Sequence, residues 1–465
     1  MNLQKIIILL TILTYTPYNR HRGKVRRTFK EVTMKKLNKD IIIVGFALFA
    51  MFFGAGNLLF PPFLGLITGK SWLTGFTGFI LADVGLSLLA ILAIGKCGGE
   101  VSKVFSRAGH KLSIALGCAI MICIGPLLAI PRTAATTFEM GIQPIFGNFN
   151  AVIFSVIFFA ITLLLTIKPS KVVDIIGSYL TPALLIALLV LIGMGIINPL
   201  GSIEPSTIDN VFSEGVFQGY QTLDALGAVS LGAVVITSIA NKGYTKKEEQ
   251  VSITFKAGLV AAAGLFLVYG GLTYLGSTVS SMFDSNVSQA GLIVSITEML
   301  LGFPGKVILG IIVALACLTT AIGLTSATGQ YFAKLSNNKI KYETIVTVVC
   351  IFSLVISNFG VSTIIQFSAP ILTFVYPPTI VLVVFTLLGE KIKNDNVFKF
   401  ATYAALFISV LNIMGDFGVK VPVINSLPLA SLGFNWVVPV LVASAIGYFV
   451  KSNNKSQYDE EKIAV

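Results

Sequence analysis

The chain has 465 residues, 55% apolar and only 12% charged, with a mean hydropathy of +0.88. Soluble domains carry about 25% charged residues, so this surface cannot face water on all sides, and a soluble enzyme, a disulfide scaffold and a disordered chain are all excluded. The formal charge of +12 would suit a nucleic-acid partner, but the basic residues sit in short segments between apolar runs, the pattern of a chain oriented in a bilayer, with no nucleic acid implied.

Residues 1–33 read as an extension outside the folded unit. Lys5 followed by the apolar Ile6 to Leu13 resembles a signal sequence, but no small-residue cleavage site follows. Thr14 to Thr33 is polar and basic, and a new basic lead opens at Met34-Lys35-Lys36. The reading is that translation starts at Met34 and that 1–33 is a mis-assigned or disordered stretch. Twelve apolar spans follow, at 41–68, 72–95, 113–138, 149–167, 172–197, 213–240, 257–275, 307–333, 343–360, 363–388, 400–415 and 434–450. At about 20 residues each they fit the chain with ample loops.

Of the 33 Lys and Arg, 29 fall before the first span, in the even-numbered connections or in the tail at 451–465. Only Lys70, Lys306 and Lys420 lie in the odd-numbered connections, and Arg132 lies within a span. The positive-inside rule then places both termini in the cytoplasm and makes the span count even.

Spans 1 and 6 are interrupted. Span 1 reads Phe52-Phe53-Gly54-Ala55-Gly56-Asn57-Leu58-Leu59-Phe60-Pro61-Pro62, and span 6 reads Gln218-Gly219-Tyr220-Gln221-Thr222-Leu223-Asp224-Ala225. Two broken helices five spans apart, of opposite orientation, are the trace of an inverted repeat. The N–H groups near Gly56, Asn57 and Leu58 would open a new half-helix and suit a carboxylate. Carbonyls around Ala50 and Phe53 would suit a cation or an ammonium group. Close packing through small residues is the plainer use of Gly54-Ala55-Gly56.

Asp224 at that depth costs on the order of 3 kcal/mol and needs a partner. It could meet a substrate ammonium, bind a cation or take a proton, or simply be hydrogen-bonded within the bundle. Asp83 in span 2 carries less information. Arg132 and Glu139, seven residues apart, lie on one face of span 3 and could pair, as a gate or as structure. Ile124-Gly125-Pro126 and Pro131 make span 3 irregular. Span 8 carries Ala316-Cys317-Leu318-Thr319-Thr320 and then Leu324-Thr325-Ser326. Those oxygens suit an alkali cation, unless the hydroxyls bond back to their own helix. The five cysteines, at 97, 118, 123, 317 and 350, read as free thiols. The only histidines, His21 and His110, lie outside the spans, so no histidine relay runs through them. No nucleotide motif occurs, so no ATPase subunit or cofactor is called for, and the energy would come from an ion gradient, a partner, or nothing.

The run Phe52 to Pro62, Ile124-Gly125-Pro126 with Pro131-Arg132-Thr133-Ala134, and Gly219 to Ala225 together resemble the bacterial branched-chain amino acid carriers, the system II family, from about Met34 to Phe449. The resemblance implies an all-α, twelve-helix protein of the leucine-transporter fold. Its single domain would be 34–450, with repeats at 41–197 and 213–388, extra helices at 400–450 and a cytoplasmic tail at 451–465. It implies a carrier in the bacterial cell membrane that moves leucine, isoleucine and valine with sodium or protons. The cation would lie on Ala50, Phe53, Ala316, Thr319 and Thr320, with Thr325 and Ser326 as the alternative register. The substrate carboxylate would meet the N–H groups of Ala55 and Gly56, with Gly54 and Asn57 beside them. Carbonyls of the span 6 break would meet the amine, where Tyr220, Thr222 and Asp224 are the candidates. Pro126, Leu128 and Ala129 would wall the side-chain pocket.

Overall fold

The computed structural model describes residues 37–167, 171–389, 391–419 and 421–450. The expected extension at 1–33 and the tail at 451–465 lie outside the described residues. Within them every regular element is helical, as required where lipid offers backbone groups no partner. Seven helices among these residues are long and apolar enough to cross a membrane, and four further apolar helices are shorter.

In chain order, α1 covers 37–52 and α2 covers Gly56–Thr68. Helix α3 joins Trp72–Ile80 to Leu86–Lys96 through a π-helical turn at Leu81–Gly85, and α4 is the short Val101–Ser106. Helix α5 runs His110–Phe146; its backbone leaves helical geometry at Gly125 (φ −92°, ψ −122°), at the expected irregularity beside Pro126. Then come α6 Ala151–Ile167, α7 Lys171–Ile197, α8 Val211–Gln221, α9 Asp224–Asn241, α10 Lys247–Thr278, α11 Gln289–Leu335, α12 Tyr342–Ser357, α13 Val361–Leu387, α14 Asp395–Asp416, α15 Pro422–Ser426 and α16 Val437–Phe449.

The apolar run at 307–333 belongs to a longer helix than its hydropathy indicates. Helix α11 begins at Gln289, where the Ser288 side chain accepts from Gly291 N, and bends at Gly302, whose φ is 66°. The added arm carries Ser295, Thr297 and Glu298, which keep it out of a span drawn on hydropathy alone.

Helix α6 shows what surrounds the molecule. Ile153, Ile157 and Leu164 are exposed while Ser155, Thr162 and Thr166 are buried. Each buried hydroxyl donates to the carbonyl one turn earlier, at 2.7–2.9 Å. Apolar outside and polar inside is the reverse of a soluble helix and fits a lipid-facing one.

Two packed groups carry the site. Helices α2, α3, α8, α9 and α10 form one, and α5, α6, α11 and α12 the other. Within the first, a methyl group on Gly65 would fall on Thr273 O, and one on Gly215 would fall on Gly75 O. The backbones therefore touch through small residues, as membrane helices prefer. Helices α13, α14 and α16 pack in series at the side, around Val381, Ala401, Ala405, Ile408, Trp436 and Val440.

Two polar ties join basic connections to neighbouring helices. Asp40 on α1 accepts from Tyr244 Oη at 2.9 Å and from Lys242 Nζ at 3.4 Å, just past α9. Arg107, after α4, donates to Asp395 Oδ1 at 2.6 Å, to Ile392 O at 2.7 Å and to Gly389 O at 3.4 Å.

Candidate functional site

The first interruption sets Phe53, Gly54 and Ala55 between α1 and α2, in neither helix. Asn57, fully buried in the first turn of α2, folds back so that its Oδ1 accepts from Gly54 N at 3.0 Å. Its Nδ2 donates to Asp224 Oδ2 at 2.6 Å and to the Tyr269 hydroxyl. The N–H groups of Ala55 and Gly56 make no hydrogen bond among the described residues. They are therefore the free donors that the start of a half-helix presents.

The second interruption is two residues long, Thr222 and Leu223, between α8 and α9. Leu223 takes the left-handed conformation (φ 70°) and is buried. A branched side chain in that region is strained and is held by its surroundings. Asp224 then opens α9, partly exposed where its neighbours are buried.

Carbonyls at the end of α8, expected to receive the substrate amine, are already occupied. Gly219 O accepts from the Thr222 hydroxyl at 2.7 Å, and Tyr220 O from the Tyr376 hydroxyl at 2.9 Å. Gln221 O and Thr222 O accept from Arg132 Nη1 and Nη2 at 2.6 and 3.0 Å. A guanidinium at a helix C-terminus is both a hydrogen-bond donor and a favourable charge. Each of these carbonyls thus already has one donor, and the partly exposed Asp224 carboxylate stands beside them as a further acceptor.

Arg132 therefore does not pair with Glu139. Glu139 accepts from Val361 N at 2.8 Å, capping the start of α13. Seven-residue spacing put the two on one helix face, but the irregular turns of α5 and the unfilled carbonyls of α8 draw Arg132 elsewhere. The guanidinium also lies 5.4 Å from the Phe60 ring. A methyl on Gly56 would stand 2.9 Å from Arg132 Nη2 and 3.2 Å from both Phe60 Cε2 and Thr222 Cα. Arg132, on α5, thus reaches across to the point where both interruptions meet.

Tyr220 points away from this junction. Its ring stacks on Tyr376 with centroids 4.2 Å apart. It borders a cavity of about 1140 Å³ lined also by Val216, Pro377, Asn412 and Trp436. Its hydroxyl has no hydrogen-bond partner among the described residues.

Asp83, which the sequence left in the background, enters the site from the π-helical turn of α3. It is fully buried, and its Oδ1 lies 2.8 Å from the Thr222 hydroxyl, whose single proton it shares with Gly219 O. Such turns recur at functional positions. Nothing in hydropathy marks this one, although a lone carboxylate inside an apolar span was a signal.

On α11 the two registers separate. A methyl on Gly54 would lie 4.0 Å from Thr320 Cγ2, so Thr320 stands beside the first interruption. The Thr319 hydroxyl is turned back to Ala316 O at 2.9 Å. Thr325 is buried, and its hydroxyl has no partner among the described residues. Ser326 is held at 3.1 Å by the Tyr342 hydroxyl of α12.

Comparison with known proteins gives the family. Residues 37–454 match the family described as branched-chain amino acid transport protein. The branched-chain amino acid permease BraB of Bacillus subtilis is 36% identical over 423 residues, covering 88% of this chain and 95% of that one. The branched-chain amino acid transport system 2 carrier protein of Pseudomonas aeruginosa is 36% identical over 413 residues, covering 87% and 94%. Among solved structures, a nucleobase-cation-symport-1 family transporter in a closed conformation with bromovinylhydantoin bound superposes with a TM-score of 0.61. It is 14% identical, over 90% of this chain and 96% of that one, a likeness of fold alone. The chain is thus a multi-pass membrane transport protein, not an enzyme, and it belongs to the branched-chain amino acid transport protein family.

Proposed function

We propose that the protein imports leucine, isoleucine and valine across the bacterial cell membrane by symport with sodium or a proton, through alternating access. The observation that carries this reading is the junction of the two interruptions. Free N–H groups at Ala55 and Gly56 belong to the first interruption, the Asp224 carboxylate to the second, and Asn57 ties the two together. Donors for a carboxylate beside an acceptor for an ammonium are what an α-amino acid zwitterion needs. An apolar pocket separates side chains differing by one methylene by only about 1–3 kcal/mol, so one site for three related side chains is reasonable.

The proposed topology is twelve crossings with both termini in the cytoplasm, supported by the alternation of basic connections. The proposed repeats are 41–197 and 213–388, with extra helices at 400–450. Spans 1, 2, 6 and 7 would rock against spans 3, 4, 8 and 9, and the two packed groups of helices support that division. For a sodium ion, the proposed ligands remain the carbonyls of Ala50, Phe53 and Ala316 with the hydroxyls of Thr319 and Thr320; Thr320 beside Gly54 favours this register over Thr325 and Ser326.

The test is labelled leucine uptake into proteoliposomes under an inward sodium gradient and, separately, an inward proton gradient. Accumulation above equilibrium, competed by isoleucine and valine but not by a nucleobase, supports the reading. Uptake that never exceeds equilibrium under either gradient makes the chain a channel or sensor. Competition by a nucleobase alone moves the substrate.

A further inference from the structure

Three formally charged side chains meet at the junction of the two interruptions. Asp83 is 0% and Arg132 3% exposed, and Asp224 is partly open. Tyr269 from α10, Tyr376 from α13 and Cys317 from α11 also face them, all uncharged at neutral pH. Two carboxylates against one guanidinium leave one negative charge unbalanced in a largely buried space. Such a charge is not tolerated without a partner.

The hydrogen bonds show where a positive charge can enter. Asp83 and Asp224 converge on Thr222, whose hydroxyl lies 2.8 Å from Asp83 Oδ1 and accepts from Asp224 N at 3.3 Å. Asp224 Oδ2 is taken by Asn57. Asp83 Oδ2 is buried with no hydrogen-bond partner among the described residues. A buried carboxylate oxygen without a donor is costly, and two carboxylates this near cannot both stay ionised cheaply, so the orphaned Asp83 oxygen is the place for a proton.

The proton would exchange on the Asp224 side, since Asp83 is sealed and Asp224 is partly exposed.

We propose that Asp83 and Asp224 hold one exchangeable proton between them, which enters with the substrate from the outer solution and leaves with it to the inner one. This rests on the symporter reading above and names the residues that would carry the coupled charge. With the proton in place, the pair and Arg132 sum to zero, and a zwitterionic amino acid adds no net charge. Without it, the centre is one charge negative and needs an alkali cation in its stead. The Asn57 amide, bonded to Asp224 and to Gly54 N, connects the state of the pair to the first interruption.

The test uses the full-length protein in sodium-free proteoliposomes. Infrared spectra at neutral pH should show the C=O stretch of a protonated carboxylic acid, and Asp83→Asn should lose it. Its absence from the wild type overturns the proposal whatever the substrate. With a pH dye trapped inside, leucine added outside should acidify the lumen. Leucine counterflow without acidification keeps the transport reading and overturns the coupled proton. No leucine counterflow in the wild type overturns the substrate reading, and the infrared band then decides the shared proton alone. Counterflow by the wild type should fall as pH rises, and whatever counterflow Asp83→Asn retains should be flat with pH; a profile unchanged by the substitution overturns the proposal.

Discussion

The Asn57 amide donates to Asp224 Oδ2 at 2.6 Å across 167 positions of chain, so the first and second interruptions are joined by a side chain that belongs to the first. The same side chain accepts from Gly54 N and donates to the Tyr269 hydroxyl of α10. Three polar groups at membrane depth depend on this one amide.

Asn57→Leu keeps the size and removes all three bonds. A buried polar group left unsatisfied costs about 1–3 kcal/mol, so leucine uptake at subsaturating concentration is expected to fall at least tenfold. Uptake within twofold of wild type, at equal membrane protein, would remove Asn57 from the site.

Gly54 and Gly56 look alike in the sequence but sit in different surroundings. A Cβ on Gly54 would meet only ordinary neighbours, Asn57 Oδ1 at 3.6 Å and Thr320 Cγ2 at 4.0 Å, whereas one on Gly56 would crowd Arg132 Nη2 at 2.9 Å and the Thr222 backbone at 3.2 Å. Gly56→Ala should therefore push the interruptions apart and abolish concentrative uptake, while Gly54→Ala should keep most of it. Equal effects of the two in the same uptake assay would contradict this geometry.

Much of the architecture is legible in the sequence because hydropathy is a direct record of where lipid lies. The breaks are legible because Gly54-Ala55-Gly56 and a carboxylate at 224 are costly inside a span. What hydropathy cannot register is a partner brought from another helix. Arg132 and Glu139 share a face by count, yet the uncapped carbonyls of Gln221 and Thr222 take the guanidinium. Asp83 gains its meaning only from Thr222 and Asp224, more than a hundred residues away. The turn at Leu223 is equally silent, since a leucine held at positive φ has no local signature.

Arg132→Lys tests the planar fork. Lysine keeps the charge but cannot place two parallel donors on two consecutive carbonyls. One carbonyl of the α8 terminus would be left unpaired, at about 1–3 kcal/mol. Uptake is expected to drop tenfold or more, with the protein still present in the membrane. Full activity in the lysine variant would show that charge alone suffices.

Tyr244 lies outside the spans, and burial, followed by its hydrogen bond to Asp40 and that residue's negative charge, pushes its hydroxyl up to about 12. The raised folded value means that its stabilisation is fully present below its ordinary value of about 10. It is lost only as pH rises through about 12. Tyr244→Phe should therefore lower the thermal midpoint in detergent by an amount equivalent to about 0.5–1.5 kcal/mol, and leave the pH profile of uptake at and below neutral pH unchanged. A changed profile in that range would mean that the Asp40 tie takes part in proton coupling.

Arg107 makes the stronger of the two ties at the basic connections. Its guanidinium bonds Asp395, Ile392 O and Gly389 O and lies 3.8 Å from the Phe398 ring centroid. The pair with Asp395 is largely shielded, with side chains only 12% and 15% exposed, so it escapes most of the screening that makes surface pairs weak. Arg107→Ala leaves Asp395 without its cation and two carbonyls without donors, an expected loss of about 2–3 kcal/mol. Arg107→Lys should recover the ion pair but not the fork or the flat contact with Phe398, and so lie between the two. Thermal unfolding of the detergent-solubilised variants reads this order directly. None of these contacts touches the junction at Asn57 and Asp224, so the protein that remains folded should bind leucine with unaltered affinity. A weakened affinity with unchanged unfolding temperature would instead assign Arg107 to the transport cycle, with the α4 segment and the start of α14 separating as the inner side opens.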